Sequence, residues 1–475
     1  MPASQKQPPR FGCPKPARVR IGGKPIEAIV CGAGSIGRQA AALLSRKGHS
    51  VIVMDLDREK LDRLSSEDLD CRQADGLSVP ALLSSGIRTC DLYVASTASD
   101  EANLLSCLLA RRLGAPACVA RLERPETIEA APIVLGGEPV FEVNPAREAA
   151  LEIMRMVAFP PSVQAEPFLS GRMLLFCLDV GKKTKFAGLP LSELAKQAKD
   201  PVACCAIERK SRLIVPSKEE PSLPGDRLWL AASTASARSF LGKAGLMDAG
   251  PKNILISGGG RIAHYLSREM QKDRFKILEK DASAAARLAS EIPKAAVVCR
   301  DPASEETLED EGAPLADAFL SLGPSDEENI IVSLYAMGLG AGFTITMLNK
   351  KMPIASKIGI GSVVNPSWAA AEKIASFCEA RKGSLREGGP RAVASLLGGK
   401  LKAAEFVVRE GSALASAPLR ALSAKEGFVL AGLERGSEAR APLPGDALAA
   451  GDAVAVAFGE KPMALTLEGA FEEAL

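Results

Sequence analysis

Histidine is nearly missing from this chain: 475 residues include only His49 and His264. Hydride transfer to a small substrate needs a positioned acid or base, most often histidine. Tyr93, Tyr265 and Tyr335 fall in no Tyr-x-x-x-Lys arrangement, and no Gly-x-x-x-x-Gly-Lys loop is present to hydrolyse a nucleotide. The 11 cysteines stand singly except for Cys204 and Cys205, with no Cys-x-x-Cys. That pattern excludes a zinc or disulfide framework and reads as reduced thiols in a cytosolic protein. No run approaches the roughly 20 apolar residues that cross a bilayer. The net charge is +2, which gives no bias towards nucleic acid or an anionic membrane. Residues 1–26 are basic and proline-rich but lack the apolar centre of a secretory signal, and read as a flexible extension.

What the chain does have is a glycine turn in a telling place. "IVCGAGSIGRQAAALLSRKGHSVIVMD" runs from 29 to 55 as strand, turn, helix and strand. Gly32 permits a tight turn, Gly34 lets backbone approach a pyrophosphate, and Gly37 lets helix pack on strand. The helix start offers amides and partial positive charge to phosphates. Asp55, 23 residues after Gly32, closes the second strand, where an acid accepts hydrogen bonds from ribose hydroxyls. Such an acid repels a 2′-phosphate and disfavours NADP. It does not separate NAD or NADH from ATP or ADP.

The chain is written twice. "NILISGGGRIAHYLSREMQKDRFKILEKD" at 253–281 repeats the first stretch, pairing Gly258 with Gly32 and Gly260 with Gly34. Glu279 stands for Asp55, Ala263 for Gly37, and Arg261 sits in the turn, placed to meet a phosphate. Asp75 pairs with Asp301, Asp100 with Asp326 and Asn103 with Asn329, all at an offset of 226. Beyond the nucleotide fold, Asn-Pro leads into an apolar helix in both halves. Alternating segments with Pro-Gly-Asp or Gly-Asp turns then read as small antiparallel sheets.

The fold expected is therefore α/β, with two tandem Rossmann-like domains on parallel sheets, each followed by a small α+β domain. The boundaries fall at 27–145 for the first Rossmann-like domain and 146–250 for its connecting helix and small domain. The second pair spans 251–366 and 367–475. Asp100, Glu101 and Asn103 read as a helix cap and a solvated first turn, in preference to ligand contacts.

These motifs, with "TASDEAN", "VARLERP", "GLPL" and "PGD", resemble the regulator-of-potassium-conductance (RCK) domain family. The tandem order resembles peripheral subunits of potassium uptake systems of the Trk type, over about residues 27–460. The resemblance implies an NAD- or NADH-binding, non-catalytic subunit, with ATP or ADP as other ligands. It implies that Gly32, Ala33, Gly34, Ser35, Ile36 and Gly37 hold phosphates and Asp55 the ribose. Asp75 would lie near the adenine, Thr97 and Ala98 at the third strand end, and Arg121 against a phosphate. Gly258, Gly259, Gly260, Arg261, Ile262, Glu279 and Asp301 would take the equivalent places. Gly323 replaces Thr97 and Met347 replaces Arg121, which weakens the second site. No catalytic or metal-binding residues are expected. The partners implied are a potassium-translocating integral membrane subunit at the inner face of the cell membrane and further copies of the chain, four in a ring. Two alternatives are an NAD-dependent oxidoreductase and an RCK-type sensor serving another channel or an anion transporter.

Overall fold

The run EAIVC forms β1 (Glu27–Cys31), the centre of a parallel sheet in a computed structural model of the chain. Around it lie β2 (Ser50–Asp55), β3 (Asp70–Gln73), β4 (Leu92–Ala95), β5 (Cys118–Arg121) and β6 (Val140–Val143), in the order β3-β2-β1-β4-β5-β6. Its central strands are apolar on both faces because helices cover both, as parallel sheets require. The order reverses between β1 and β4, and ligands bind at such switch points.

An antiparallel sheet follows, made of β7 (Ala165–Phe168), β8 (Met173–Asp179), β9 (Ala203–Arg209), β10 (Arg212–Ile214) and β11 (Arg227–Ser233), ordered β10-β9-β11-β8-β7. The plan then repeats. β12 (Asn253–Ser257), β13 (Arg274–Leu278), β14 (Ala296–Val298), β15 (Ala318–Ser321), β16 (Phe343–Met347) and β17 (Ser362–Val364) form a parallel sheet ordered β14-β13-β12-β15-β16-β17. Last come β18 (Ala392–Leu396), β19 (Leu401–Val407), β20 (Phe428–Arg435), β21 (Glu438–Arg440) and β22 (Ala453–Phe458), ordered β18-β19-β22-β20-β21. Read from the other edge, the first antiparallel sheet has this same topology. The Rossmann-like and α+β reading of both halves holds.

The structure describes residues 25–64, 69–159, 165–169, 172–181, 187–191, 193, 202–210, 212–216, 220–243, 253–270, 274–350, 359–384, 389–390, 392–397, 400–415, 418–419, 424–436, 438–443, 445–459 and 466–471. The N-terminal extension up to 24 and most of the "SAPLRAL" repeat lie outside them. Among the described residues no helix is long and apolar enough to cross a membrane.

The small domains repeat in detail as well as in outline. Arg209 grips Asp226 through Nε at 2.8 Å and Nη2 at 2.8 Å. Arg435 grips Asp452 in the same way at 2.8 and 2.6 Å. Each aspartate follows a glycine at positive φ, Gly225 at 93° and Gly451 at 90°. Hydrogen bonds from these arginines hold Asp226 and Asp452 below the usual carboxylate range. The two sheets share one core that includes Phe168, Trp229, Leu401 and Ala431.

The connecting helices are exchanged. Helix Pro145–Ala158 leaves the first Rossmann-like unit and buries Ala149, Ala150, Ile153 and Val157 in the core of the second. Helix Pro366–Ser384 returns the arrangement, burying Ala370, Ala371, Ile374, Ala375 and Cys378 against the first unit. There it meets Ala40, Ala41 and Leu44 of helix Ser35–Arg46, whose small residues permit close approach. Phe377 stacks on Phe141 with ring centroids 4.4 Å apart. Each Rossmann-like unit is thus completed by a helix from the other copy, a placement that periodicity alone does not reveal.

Candidate functional site

At the C-terminal end of β1 the three glycines have different reasons to be glycine. Gly32 has φ 103°, and a Cβ there would lie 2.7 Å from the carbonyl carbon of Ser96. A Cβ on Gly37 would meet the Gly32 oxygen at 1.8 Å. The fold demands both. Gly34 is different: its backbone is ordinary (φ −66°, ψ −173°), and a Cβ there would touch nothing within 4 Å. It begins helix Ser35–Arg46, and no side chain caps that start. Gly260 before helix Arg261–Glu269 is likewise ordinary in backbone, uncapped and open in front. Both helices therefore present uncapped N-termini to open space, the geometry that favours an anion.

The two acids are placed alike. Asp55 accepts from the Ala33 amide at 2.6 Å and from the Asp57 amide at 2.8 Å. Glu279 accepts from Gly259 at 2.8 Å and Asp281 at 2.9 Å. Each carboxylate ties the glycine turn to the end of the second strand. Each keeps spare acceptor capacity, since a carboxylate offers about four lone-pair sites. Asp75 caps its own turn through the Leu77 amide at 2.9 Å, and Asp301 does the same through Ala303 at 3.0 Å. Asp55 and Asp75 both face Cys31 at the tip of β1. Burial first, and then these two charges, push its thiol up.

Across the switch point, Asn103 straps two strand ends together. It accepts from the Thr97 amide at 2.9 Å and hydroxyl at 2.7 Å, and donates to the carbonyls of Thr97 at 3.1 Å and Arg121 at 2.9 Å. Asn329 does the same for Gly323 and Met347. Asp100 accepts from the amides of Glu123 and Arg124 at 2.9 Å each. Asp100 and Asn103 are thus buried straps, not a solvated turn. Ser99 is the cap, accepting from Ala102. Ala98 follows Thr97 in the loop before that helix.

The remaining sequence candidates are drawn together differently. Arg121 donates Nη1 to the Thr97 carbonyl at 2.5 Å and Nη2 to Glu123, while its Nε is buried without a partner. Arg261 reaches away from its own turn and donates to the other oxygen of Glu123 at 2.6 Å. Ile36 and Ile262 point into their cores. Ser35 accepts a hydrogen bond from the hydroxyl of Ser367, at the start of the second connecting helix, at 2.9 Å. Asn144, at the start of the first, donates to Tyr265 at 3.1 Å. Nothing in the sequence alone marks Glu123, Ser367 or Asn144 as site residues. "RLERP" places Glu123 two residues after Arg121, but only the folded pair of copies brings Arg261 to it.

Neither histidine sits in a glycine turn. His49 accepts from the Ile26 amide at 3.3 Å beneath the sheet, and His264 lies 3.3 Å from Glu291. Among the described residues no group of three or more His, Cys, Asp or Glu is arranged to hold a metal.

A parallel sheet with a glycine turn, an open helix start and a strand-end acid, present twice, defines a tandem protein of the Rossmann-like nucleotide-binding class. The TrkA-N domain profile matches residues 28–135 and 254–366, which fall on the two Rossmann-like units. Along most of its length the chain is similar to TrkA proteins. It is 25% identical to the Trk system potassium uptake protein TrkA of Haemophilus influenzae, over 87% of this chain and 91% of that one. It is 26% identical to a TrkA homolog of Archaeoglobus fulgidus, over 72% of this chain and 78% of that one. Among solved structures it is similar to the GsuK RCK domain, with TM-score 0.56 and 18% identity over 92% of this chain and 93% of that one. It is also similar to the GsuK channel bound to NAD, with TM-score 0.56 and 17% identity over 92% of this chain and 77% of that one. Those identities speak for the fold: tandem RCK N- and C-type domains.

Proposed function

We propose that this chain is a cytoplasmic, non-catalytic regulatory subunit that binds adenine nucleotides and controls a Trk-type potassium uptake protein in the membrane. One observation carries the nucleotide half of this reading: Gly34 and Gly260 are glycines that the fold does not require. Side-chain-free backbone in front of an uncapped helix start is what a pyrophosphate needs. Strand-end acids beside both turns suit an unmodified ribose, which favours NAD, NADH, ATP or ADP over NADP. The potassium half rests on the similarity to Trk-system TrkA proteins over most of the chain.

In this reading Gly32 to Gly37, Asp55, Asp75, Thr97, Ala98 and Arg121 form the first nucleotide site. Gly258 to Ile262, Glu279 and Asp301 form the second, which lacks an equivalent of Arg121. The exchanged helices couple the two Rossmann-like units, so a ligand that fits one arrangement better shifts the other unit too. A homo-oligomeric ring, four chains around the membrane partner, would sum these shifts at a pore. Purified chain incubated with NADH and a panel of carbonyl compounds, and separately with ATP, should bind nucleotide without consuming it. Steady turnover well above a blank would overturn the non-catalytic reading.

A further inference from the structure

Glu123 stands between the two candidate nucleotide sites and is shared by them. One of its carboxylate oxygens accepts from Arg121 of the first site, and the other accepts from Arg261 in the second glycine turn at 2.6 Å. Arg121 is mostly buried, with its side chain 16% exposed, and Glu123 is 30% exposed, so water screens that half of the linkage only partly; the Arg261 side chain is 51% exposed and its half is screened more. The backbone around Glu123 is fixed, because its amide donates to buried Asp100 and its carbonyl accepts from Asn144. The nearby Arg124 is engaged elsewhere, with Glu101. Two cations from two different sites therefore lean on one anion.

We propose that Glu123 is a positioning residue that couples the two sites antagonistically, an inference that rests on the nucleotide-binding reading above. A polyphosphate in the first site draws Arg121 towards itself, using the unpartnered Nε as well. The full charge of Glu123 is then left to Arg261, which is held away from its own glycine turn. A polyphosphate in the second turn draws Arg261 off and leaves Glu123 to hold Arg121 back. Each ligand thus raises the cost of recruiting the other site's arginine. The repeat is asymmetric in a way that suits this: Ser35 stands where the second copy has Arg261, and Asn349 stands where the first has Glu123. Among the described residues the two turns are linked in this way once.

The test is calorimetry of the full chain with NADH as the probe. The affinity of the second site is read in two settings: with the first site filled, as the weaker step of the wild type, and with the first site blocked by Gly34→Val. Valine is neutral, so it obstructs phosphate without supplying a charge of its own. The second site should be at least about fivefold weaker when the first is filled, the lower end of ordinary coupling. Glu123→Gln should bring that ratio to about one, and Arg261→Gln, which cuts the other end of the link, should do the same. A wild-type ratio near one, an unchanged ratio in Glu123→Gln, or a single NADH per chain overturns the coupling while leaving nucleotide binding intact. No binding by any of the proteins overturns both readings together.

Discussion

Ser367 and Ser35 share a 2.9 Å hydrogen bond although 332 positions separate them in the chain. The contact joins Ser35, which lies within one glycine turn and begins helix Ser35–Arg46, to the start of the helix that the other copy contributes. The glycine turn is thus in direct contact with the helix that leads into the second small domain. Asn144 and Tyr265 make the matching link from the first connecting helix to the second unit.

The division of labour among the glycines leads to opposite outcomes for neighbouring substitutions. Gly34→Val should leave the unfolding midpoint nearly unchanged and lower affinity of the first site for NADH at least tenfold. Gly32→Ala should instead destabilise the fold by at least about 1–3 kcal/mol, because a non-glycine residue is strained at φ 103° and crowds Ser96. Denaturant unfolding and calorimetry on the two variants check this directly.

The acids should not be equal either. Asp55→Ala removes charge-assisted hydrogen bonds worth about 1.5–3 kcal/mol each, at least a tenfold loss of affinity. Glu279→Ala should change overall NADH binding less, since Met347 and Gly323 offer fewer partners around it. Equal losses in calorimetry would show that the two sites contribute alike.

The exchange of connecting helices makes the first Rossmann-like unit depend on residues more than 300 positions away. Ile374 is fully buried in its core. Ile374→Ala should cost about 2–5 kcal/mol, the range for emptying a buried aliphatic site. Hydrogen exchange should report the loss in β1 and in helix Ser35–Arg46, far from the mutation in sequence. Protection lost only in the second half would contradict the exchange.

Where the connecting helices meet, burial pushes the Glu152 carboxyl up to about 7; Arg155 opposes the shift and Glu372 of the second helix adds to it. A carboxylate raised in the folded state costs stability once it ionises. The cost is absent at pH 4, grows as pH rises from about 4.5 towards 7, and is complete above that. Glu152→Gln should therefore stabilise the chain by about 1–3 kcal/mol at pH 8 and leave it nearly unchanged at pH 4. Denaturant midpoints at the two pH values supply the comparison.

Much of this was legible in the sequence, for a physical reason. Glycine turns, strand-end acids and Gly-Asp turns are local devices, and local devices leave local patterns. The offset of 226 extends from Asp75 and Asp301 to the matched Arg209–Asp226 and Arg435–Asp452 pairs. Helix exchange left no such mark. The alanines at 370, 371 and 375 announce that a helix face is buried, but periodicity does not say against which sheet. Glu123 was invisible for the same reason, since neither its spacing from Arg121 nor the turn holding Arg261 discloses that the two copies meet there.

Potassium uptake in living cells is where the proposed regulatory role of the nucleotide site is decided. The most direct measurement uses cells lacking their own Trk regulatory subunit. They carry the cognate membrane subunit, with or without this chain, and grow in limiting potassium. The wild-type chain should restore uptake, and Gly34→Val, though folded, should alter it. Uptake that is the same with the chain as without it would rule out that role.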